Sequence, residues 1–318
     1  MPEPGAGRQR RLAEELEEAG LVVDGSDDFR SLLLEEIDHA LRPPVHERRV
    51  VSSGAILQPH TDPATWEAGT QLTITRSPAD QHRLPAARLF ADGLSSWLLR
   101  RTDDVNEWMV FDRPAGSERD LVVLASVFDA TIVQRHPAGA VRVAGSFGIL
   151  RWQGFSWHYE PPVHTWIDAV AATSAHGDSR VIEDLLKFAI HDLGSLRIGA
   201  LLIFRPNGAP GPVVEELLPT PPPLRIRRAT HLAPLRHALA QIDGAAVFDG
   251  DGVLRQLGVR LVPSDAAEQA VDALRGTRHT SARRYSHDDP LATVIAVSDD
   301  GPVSVFRDGE VLVNSHAD

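Results

Sequence analysis

The sequence predicts an α/β (α+β) protein of two domains, and three observations support that prediction. The chain has 318 residues, which suffices for two domains of ordinary size. Hydrophobic residues make up 42% of it, enough to form a buried core. Short strand-like runs are mixed with segments of helical period, which predicts sheets covered by helices. We expect an α+β N-terminal domain with a β-meander over residues 1–174, a linker at 175–179, and a mixed-sheet domain over 178–318.

The N-terminal half begins with two predicted helices and continues with short strands. Leu12 and Leu16 mark one face of a helix over 8–19, and Ser26 or Asp27 can cap a second helix over 28–41. Further helices are predicted over 86–99 and 163–174. Strands are predicted over 49–57, 71–75, 108–111, 121–127, 131–134, 141–143 and 147–152. The close spacing of the strands after residue 108 predicts an antiparallel meander.

In the C-terminal half, helical and strand patterns are more regular. Its predicted helices span 178–193, 232–242, 265–274 and 279–286, and its predicted strands span 198–204, 245–248, 253–261, 291–297, 303–306 and 311–313. The Pro- and Gly-rich stretch 205–223 is too long for a simple turn, which predicts a lid or partner loop. Residues 249–252 predict a hairpin turn.

Composition excludes several classes of protein. The net charge of −12 argues against non-specific nucleic-acid binding, which relies on basic surface. The absence of Cys excludes disulfides and thiolate zinc sites. No apolar run approaches the ~18 residues of a membrane span, and residues 1–11 do not resemble a secretory signal, so a soluble cytoplasmic protein without membrane contact is expected. Lys187 is the only lysine and no Walker A loop is present. Any phosphate site must therefore use Arg, His, hydroxyls and backbone N–H groups.

Two short motifs in the C-terminal half indicate chemistry. Asp243-Gly244 forms a predicted turn that opens into the apolar run 245–248, so that one carboxylate lies at the mouth of a buried strand. Further on, a helix that begins near Thr277 would direct free N–H groups and the positive end of its dipole at an anion. Arg278 and His279 would add donors there. Together the motifs predict a site for a metal-bound polyphosphate.

These motifs resemble those of the diadenylate cyclase domain family, the nucleotide-binding domain also found at the N-terminus of DNA-integrity-scanning proteins. The family's Asp-Gly-Ala motif corresponds to 243–245, and its Gly-Thr-Arg-His-Arg motif corresponds to 276–280, with Thr280 in the last position. Residues 196–203 are similar to the family's first strand. Residues 260–264 and 297–300 are similar to an adenine-bordering segment and to a turn that faces the metal or phosphates. The resemblance covers about 178–318.

The resemblance implies an activity and a set of site residues. Two ATP would be converted to cyclic di-AMP plus pyrophosphate, with Mg²⁺ or Mn²⁺ as cofactor. Because one site holds one ATP, it also implies a homo-oligomer, at least a dimer. Catalysis would rest on Asp243, Arg278 and His279, and the metal on Asp243 and Asp299. The expected nucleotide-binding residues are Gly244, Ala245, Arg260, Leu261, Thr277, Thr280, Ser281 and Ser298.

The departure at Thr280 keeps alternatives open. A hydroxyl can hold a phosphate oxygen but supplies no charge, and Arg283 or Arg284 is a candidate to compensate. One alternative is a non-catalytic module that binds ATP or cyclic di-AMP, and another is a nucleotidyltransferase with a linear dinucleotide product. The N-terminal half shows no readable chemistry. It is either a sensor or regulatory module or a structural domain that helps the protein to oligomerise.

Overall fold

A computed structural model describes residues 6–21, 25–46, 49–80, 83–103, 105–172, 179–206, 214–216, 218–274 and 276–315. The chain divides into two compact units, Met1–Pro162 and Val163–Asp318. Most of the predicted linker, and with it the predicted boundary between residues 174 and 178, lies outside the described residues. The segment 163–172, which we assigned to the first domain, packs within the second unit.

The N-terminal unit is a mixed sheet between two groups of helices. Its helices are α1 (Ala6–Glu18), α2 (Asp27–Leu41), α3 (Trp66–Thr70), α4 (Leu84–Arg88) and α5 (Glu118–Phe128). Its strands are β1 (Val45–His46), β2 (Arg49–Val50), β3 (Ser53–Leu57), β4 (Ile74–Pro78), β5 (Ser96–Arg100), β6 (Glu107–Phe111), β7 (Thr131–Arg135), β8 (Val141–Gly145), β9 (Gly148–Trp152) and β10 (Trp157–Glu160). Among the described residues, the main sheet has the order β10-β9-β8-β7-β3-β5-β6-β4. Strands β7 to β10 pair antiparallel in succession, which confirms the meander.

Alternation along the strands divides the N-terminal core between the two faces of the sheet. On one face α1 and α2 pack Leu16 and Ile37 against a surface that includes Val133. On the other face, α3 and α5 pack Trp66 and Phe128 against the strand residues that alternate with Val133 and its counterparts and so point in the opposite direction. The sheet is therefore covered on both sides, as the hydrophobic content predicts.

Two predictions in this unit are wrong for local reasons. Residues 121–127 were expected to be a strand but belong to helix α5, because Ser117 and Asp120 form a capping box that starts a helix at Glu118. Residues 86–99 were expected to be one helix. The carboxylate of Asp92 instead accepts hydrogen bonds from the N–H groups of three successive residues, 94–96, at 2.7–2.9 Å. This turn ends the helical segment and lets β5 pair parallel with β3.

The C-terminal unit contains α6 (Val163–Ala172), α7 (Ser179–Phe188), α8 (Ala229–Leu239), α9 (Asp265–Ala270) and α10 (Thr277–Asp288). A π-helical turn (Ala189–Leu193) and a 3₁₀ turn (Gly194–Leu196) extend α7. Its strands are β11 (Ala200–Arg205), β12 (Val214–Glu216), β13 (Ala245–Asp249), β14 (Leu254–Leu261), β15 (Thr293–Val297), β16 (Val303–Arg307) and β17 (Glu310–Asn314). The described strands form one sheet in the order β12-β14-β13-β11-β15-β16-β17. Part of the predicted 205–223 loop lies outside the described residues, and 214–216 forms an edge strand.

The topology of this sheet gathers several chain segments at one end. Strand β11 is parallel to β13 and antiparallel to β15, and β13 is antiparallel to β14. The beginnings of β11 and β13 therefore lie beside the ends of β14 and β15. Helix α10 packs on the same sheet through Ala282 and Tyr285. Its C-terminal end is fixed by Asp289, which pairs with Arg205 at 2.8 Å. None of the helices in the described part of the chain is long and apolar enough to cross a membrane.

Candidate functional site

A cavity of about 660 Å³ opens at the end of the C-terminal sheet where these segments meet. Ten of the twelve predicted site residues line it, and they come from four separate stretches of the chain. These residues are Asp243, Gly244, Arg260, Leu261, Thr277, Arg278, His279, Ser281, Ser298 and Asp299. Leu201, Val259 and Gly276 complete the lining. The cavity thus has an apolar floor from the strands and a polar rim from the turns and the helix.

The turn at Asp243 and Gly244 brings a carboxylate to the cavity. Gly244 has φ of +104°, a conformation that favours glycine. A Cβ at this position would lie 2.7 Å from the carbonyl carbon of Gly258 and 2.9 Å from the carbonyl oxygen of Val259. The turn therefore packs directly on β14. The N–H of Gly244 donates to Oδ1 of Asp243 at 3.0 Å, which orients the exposed carboxylate. The next residue, Ala245, is fully buried and does not line the cavity.

The N-terminus of α10 forms the opposite wall. Gly276, with φ of +95°, precedes the helix, and no side chain caps it. The first N–H groups of a helix have no partners within it, and the helix dipole favours negative charge there. Thr277, Arg278 and His279 all reach the cavity from this first turn. The predicted anion-binding geometry at the start of α10 is therefore present.

Thr280 does not face the cavity. Its hydroxyl lies 3.1 Å from the carbonyl oxygen of Leu274 and 3.0 Å from that of Gly276, and it accepts from the N–H of Leu274 at 3.0 Å. The side chain thus holds the segment that leads into α10. Because Thr280 is part of the motif, we predicted that its hydroxyl contacts a phosphate. Its position on α10 instead directs the hydroxyl toward Leu274 and Gly276.

The structure does not bring Arg283 or Arg284, the candidates for compensation, to the cavity. The Nε of Arg283 donates to the carbonyl oxygen of Gly309 at 2.7 Å. Arg284 pairs with Glu268 at 3.2 Å. Neither residue lines the cavity, because both lie further along α10 and point to other elements. The described cationic side chains in the lining are those of Arg260, Arg278 and the titratable His279.

Arg278 is held in place by Asp299, the residue that we predicted as a metal ligand. The Nη1 of Arg278 donates to Oδ1 of Asp299 at 2.7 Å, across the gap between α10 and the turn after β15. Gly199 lies against this ion pair. A Cβ at Gly199 would lie 1.7 Å from Oδ1 of Asp299 and 2.4 Å from Nη1 of Arg278. Gly199 was not among the predicted site residues, because nothing in the sequence relates this position in the predicted strand 198–204 to Arg278 or Asp299.

Burial lowers the pKa of His279 below its usual 6.5, and the neighbouring Arg278 lowers it further, while Asp300 opposes the shift. Its ring also contacts Phe306 edge-on, with 6.0 Å between the ring centroids. Both effects favour the neutral imidazole in the free protein. An anion in the cavity would favour its protonated form.

The lining fits a divalent metal that arrives with its substrate. In the described residues, no group of three His, Asp or Glu side chains is placed to hold a metal ion alone. Asp243 presents an exposed carboxylate, and Mg²⁺ is commonly bound by one or two carboxylates together with substrate phosphates and water. Asp243 is therefore the candidate ligand, whereas Asp299 is engaged with Arg278.

Two family models match separate parts of the chain. Residues 187–311 match the family model DAC, described as "DisA bacterial checkpoint controller nucleotide-binding". Residues 10–160 match the model described as "Probable sensor domain DACNK". The C-terminal part of the chain thus matches the model of the family that its motifs indicated, and the part before it matches the DACNK model.

Two solved structures are similar to parts of the chain. One is a hypothetical membrane spanning protein from Bacillus cereus, with 19% identity, a TM-score of 0.34, and coverage of 45% of this chain and 67% of that one. The other is a double mutant of DacA from Staphylococcus aureus, with 20% identity, a TM-score of 0.30, and coverage of 43% and 87%. These similarities are too low to assign any residue. No curated protein matched the chain.

Proposed function

We propose that the chain is a diadenylate cyclase that condenses two ATP molecules into cyclic di-AMP. The observation that supports this best is the convergence, in one cavity, of the Asp243 carboxylate, the open N-terminus of α10, and the side chains of Arg278 and His279. The match of residues 187–311 to the DAC model, described as nucleotide-binding, supports the same proposal. We further propose that the protein acts in the cytoplasm.

The lining suggests how a nucleotide binds. Its apolar part, formed by Leu201, Val259 and Leu261, suits the adenine ring. The phosphates would lie at the start of α10, where backbone N–H groups, Arg278 and His279 can donate to their oxygens. Gly244 lets the ligand approach the backbone closely.

Arg260, Thr277, Ser281 and Ser298 would supply further polar contacts around the nucleotide. Ala245 and Thr280 support the site from behind, because both side chains face away from the cavity.

Mg²⁺ or Mn²⁺ would be held by Asp243 and the phosphates, and it would neutralise charge on the polyphosphate. Asp243 would also accept the proton of a ribose 3′-hydroxyl. His279 and Arg278 would stabilise negative charge as it develops on the phosphates. These assignments give Asp243, Arg278 and His279 the catalytic roles.

The size of the cavity supports an assembly of two protomers. At about 660 Å³ it falls in the range of pockets for one small ligand, roughly 300–1,000 Å³. Each ATP would present its 3′-hydroxyl to the α-phosphorus of the other. Two P–O3′ bonds form, two P–O bonds to the leaving groups break, and two pyrophosphates and two protons are released. A homo-oligomer, at least a dimer, must therefore bring two cavities face to face.

The test is incubation of the full chain with ATP and Mn²⁺ or Mg²⁺, with products identified by mass. We expect cyclic di-AMP, at a rate per protomer that rises with protein concentration. Asp243→Asn should abolish the product without loss of fold, because an amide can still accept the Gly244 N–H. Asp251→Asn, an exposed position in the turn after β13, is the matched control and should keep full activity. Unchanged activity in Asp243→Asn would contradict the assignment.

The alternative is a domain that binds ATP or cyclic di-AMP without turnover. The observation that favours it is Thr280, which stands where the family motif has an arginine and whose hydroxyl bonds to Leu274 and Gly276, so that this position supplies no cation. Intact nucleotide binding without any product under either metal would establish this alternative. A linear dinucleotide would be distinguished in the same mass spectra. In either case we propose a sensor or regulatory role for the N-terminal unit, as the DACNK match suggests.

A further inference from the structure

The N-terminal unit contains its own cavity, of about 260 Å³, apart from the proposed nucleotide site. Helix α2 contributes Phe29 and Leu33 to its wall. Three further lining residues come from other elements: Gln58 directly after β3, Asp129 at the C-terminal end of α5, and Phe147 in the β8–β9 turn. The cavity is thus built from five elements of a single folded unit. Nothing in the proposed cyclase reaction uses it.

Two strained residues shape this cavity. Gln58 and Asp129 both adopt left-handed backbone conformations, with φ of +49° and +46°. Such conformations are costly for residues other than glycine and are concentrated at ligand-binding and active sites. Here the surrounding hydrogen bonds maintain them. The N–H of Gln58 donates to the carbonyl oxygen of Arg100 at 2.8 Å, and the N–H of His60 donates to that of Phe128 at 3.0 Å.

The lining specifies the charge of a ligand. Its apolar part includes Phe29, Leu33 and Phe147, and its polar part includes Gln58, His60 and Asp129. Asp129 supplies the one carboxylate among the described lining residues, and no Lys or Arg is among them. Asp129 is also the C-cap of α5, where the helix dipole adds negative potential. Aromatic faces attract cations as well. Each of these features favours a positively charged ligand.

We propose that this cavity binds a small organic cation with a compact apolar or aromatic body and an amine head group. The body would lie between Phe29, Leu33 and Phe147, and the ammonium group would pair with Asp129. A volume of about 260 Å³ corresponds to the space of about nine water molecules, so the ligand has roughly ten non-hydrogen atoms. The proposal does not depend on the proposed cyclase activity, because it concerns binding alone.

The test compares three probes that share a phenyl body and differ in charge. Binding of 2-phenylethylamine, 2-phenylethanol and 3-phenylpropanoate to the full chain would be measured by calorimetry and by ligand-observed NMR at pH 8. We expect the amine to bind about threefold or more tighter than the alcohol, as one partly exposed charge pair and a helix terminus allow, and the carboxylate to bind weakest.

Asp129→Asn removes the charge and keeps the left-handed conformation, which Asn tolerates. In this variant we expect the amine to lose its advantage while the alcohol binds as before. Glu14→Gln, an exposed carboxylate on α1 outside the cavity, is the matched control and should retain the order of affinities. Absence of amine binding at 5 mM, tighter binding of the carboxylate, or an unchanged preference in Asp129→Asn would each overturn the proposal.

Discussion

Gly199→Ala offers a way to displace the ion pair at the proposed phosphate site without unfolding the domain. The new Cβ would lie 1.7 Å from Oδ1 of Asp299, and ordinary contacts begin at 3.4 Å, so this oxygen must move by about 1.7 Å (3.4 minus 1.7). Nη1 of Arg278 is 2.4 Å from the same point and must move by about 1 Å. Both atoms are at the ends of flexible side chains, so the displacement is inexpensive for the fold.

The substitution should therefore leave the stability of the fold almost unchanged but weaken ATP binding and catalysis. An exposed ion pair contributes about 0–1 kcal/mol, and replacing Gly by Ala restricts the unfolded chain by about 0.4–1 kcal/mol, so the free energy of unfolding should hardly change. A charge-assisted hydrogen bond from Arg278 to a phosphate is worth about 1.5–3 kcal/mol, so ATP affinity should fall roughly 10- to 100-fold. Misplacement of a catalytic group by ~1 Å can cost a further 100-fold in rate.

The assay measures thermal unfolding, ATP binding by calorimetry, and cyclic di-AMP formation on the same preparations. Gly7→Ala in α1 is the matched control, since a Cβ there would have no neighbour within 4 Å. Wild-type ATP affinity in Gly199→Ala would refute the argument that Arg278 must occupy its observed position. A large loss of stability would refute the argument that the displacement is inexpensive.

Three further predictions follow from single contacts. In chemical denaturation, Thr280→Ala should lower the free energy of unfolding by about 1–2 kcal/mol, and Thr280→Ser should restore it. Thr280→Arg should not raise activity, because the side chain at this position faces away from the cavity. When ATP binds near pH 6.5, His279 should take up a proton. In calorimetry this uptake should make the heat of ATP binding depend on the buffer, and His279→Asn should remove that dependence. Because the pKa of His279 is lowered in the free fold, the stability of the free protein should decrease as the pH falls below 6.5. Glu118→Ala should destabilise the N-terminal unit by about 3 kcal/mol, since it removes the buried carboxylate that pairs with Arg151 at 2.6 Å and with Arg142 at 3.8 Å, although Arg151 keeps Glu160 at 3.5 Å. Exposed Glu14→Ala should have little effect.

The sequence was most informative where local chemistry and tertiary structure agree. The apolar runs at 198–204 and 245–248 predicted buried strands, and these strands form the centre of the C-terminal sheet. The turn at 243–244 and the start of α10 were predicted from residue type alone, and the fold brings them to one cavity. Their proximity could not be deduced from spacing, because it depends on which strands pair. The family resemblance supplied that information.

The sequence was least informative where a single hydrogen-bonding side chain decides between a helix and a strand. The run 121–127 is apolar enough for either, and the capping box at Ser117 selects a helix. Likewise, the direction of the Thr280 side chain follows from its position in the first turn of α10, which no motif specifies. Gly199 is required by a contact between two distant side chains, and so only the folded structure identifies it.

The orientation of Thr280 changes what its departure from the family motif means. An arginine at this position could reach a phosphate only by leaving the direction that the threonine takes, since the hydroxyl bonds to the loop at 274–276. The threonine therefore supplies no charge, but its hydroxyl bonds to Leu274 and Gly276, beside the open N–H groups of α10. Under the proposed function, phosphate binding would rest on the helix terminus, Arg278 and His279. Loss of one cation lowers electrostatic attraction, whereas a preorganised terminus reduces the cost of ordering the site.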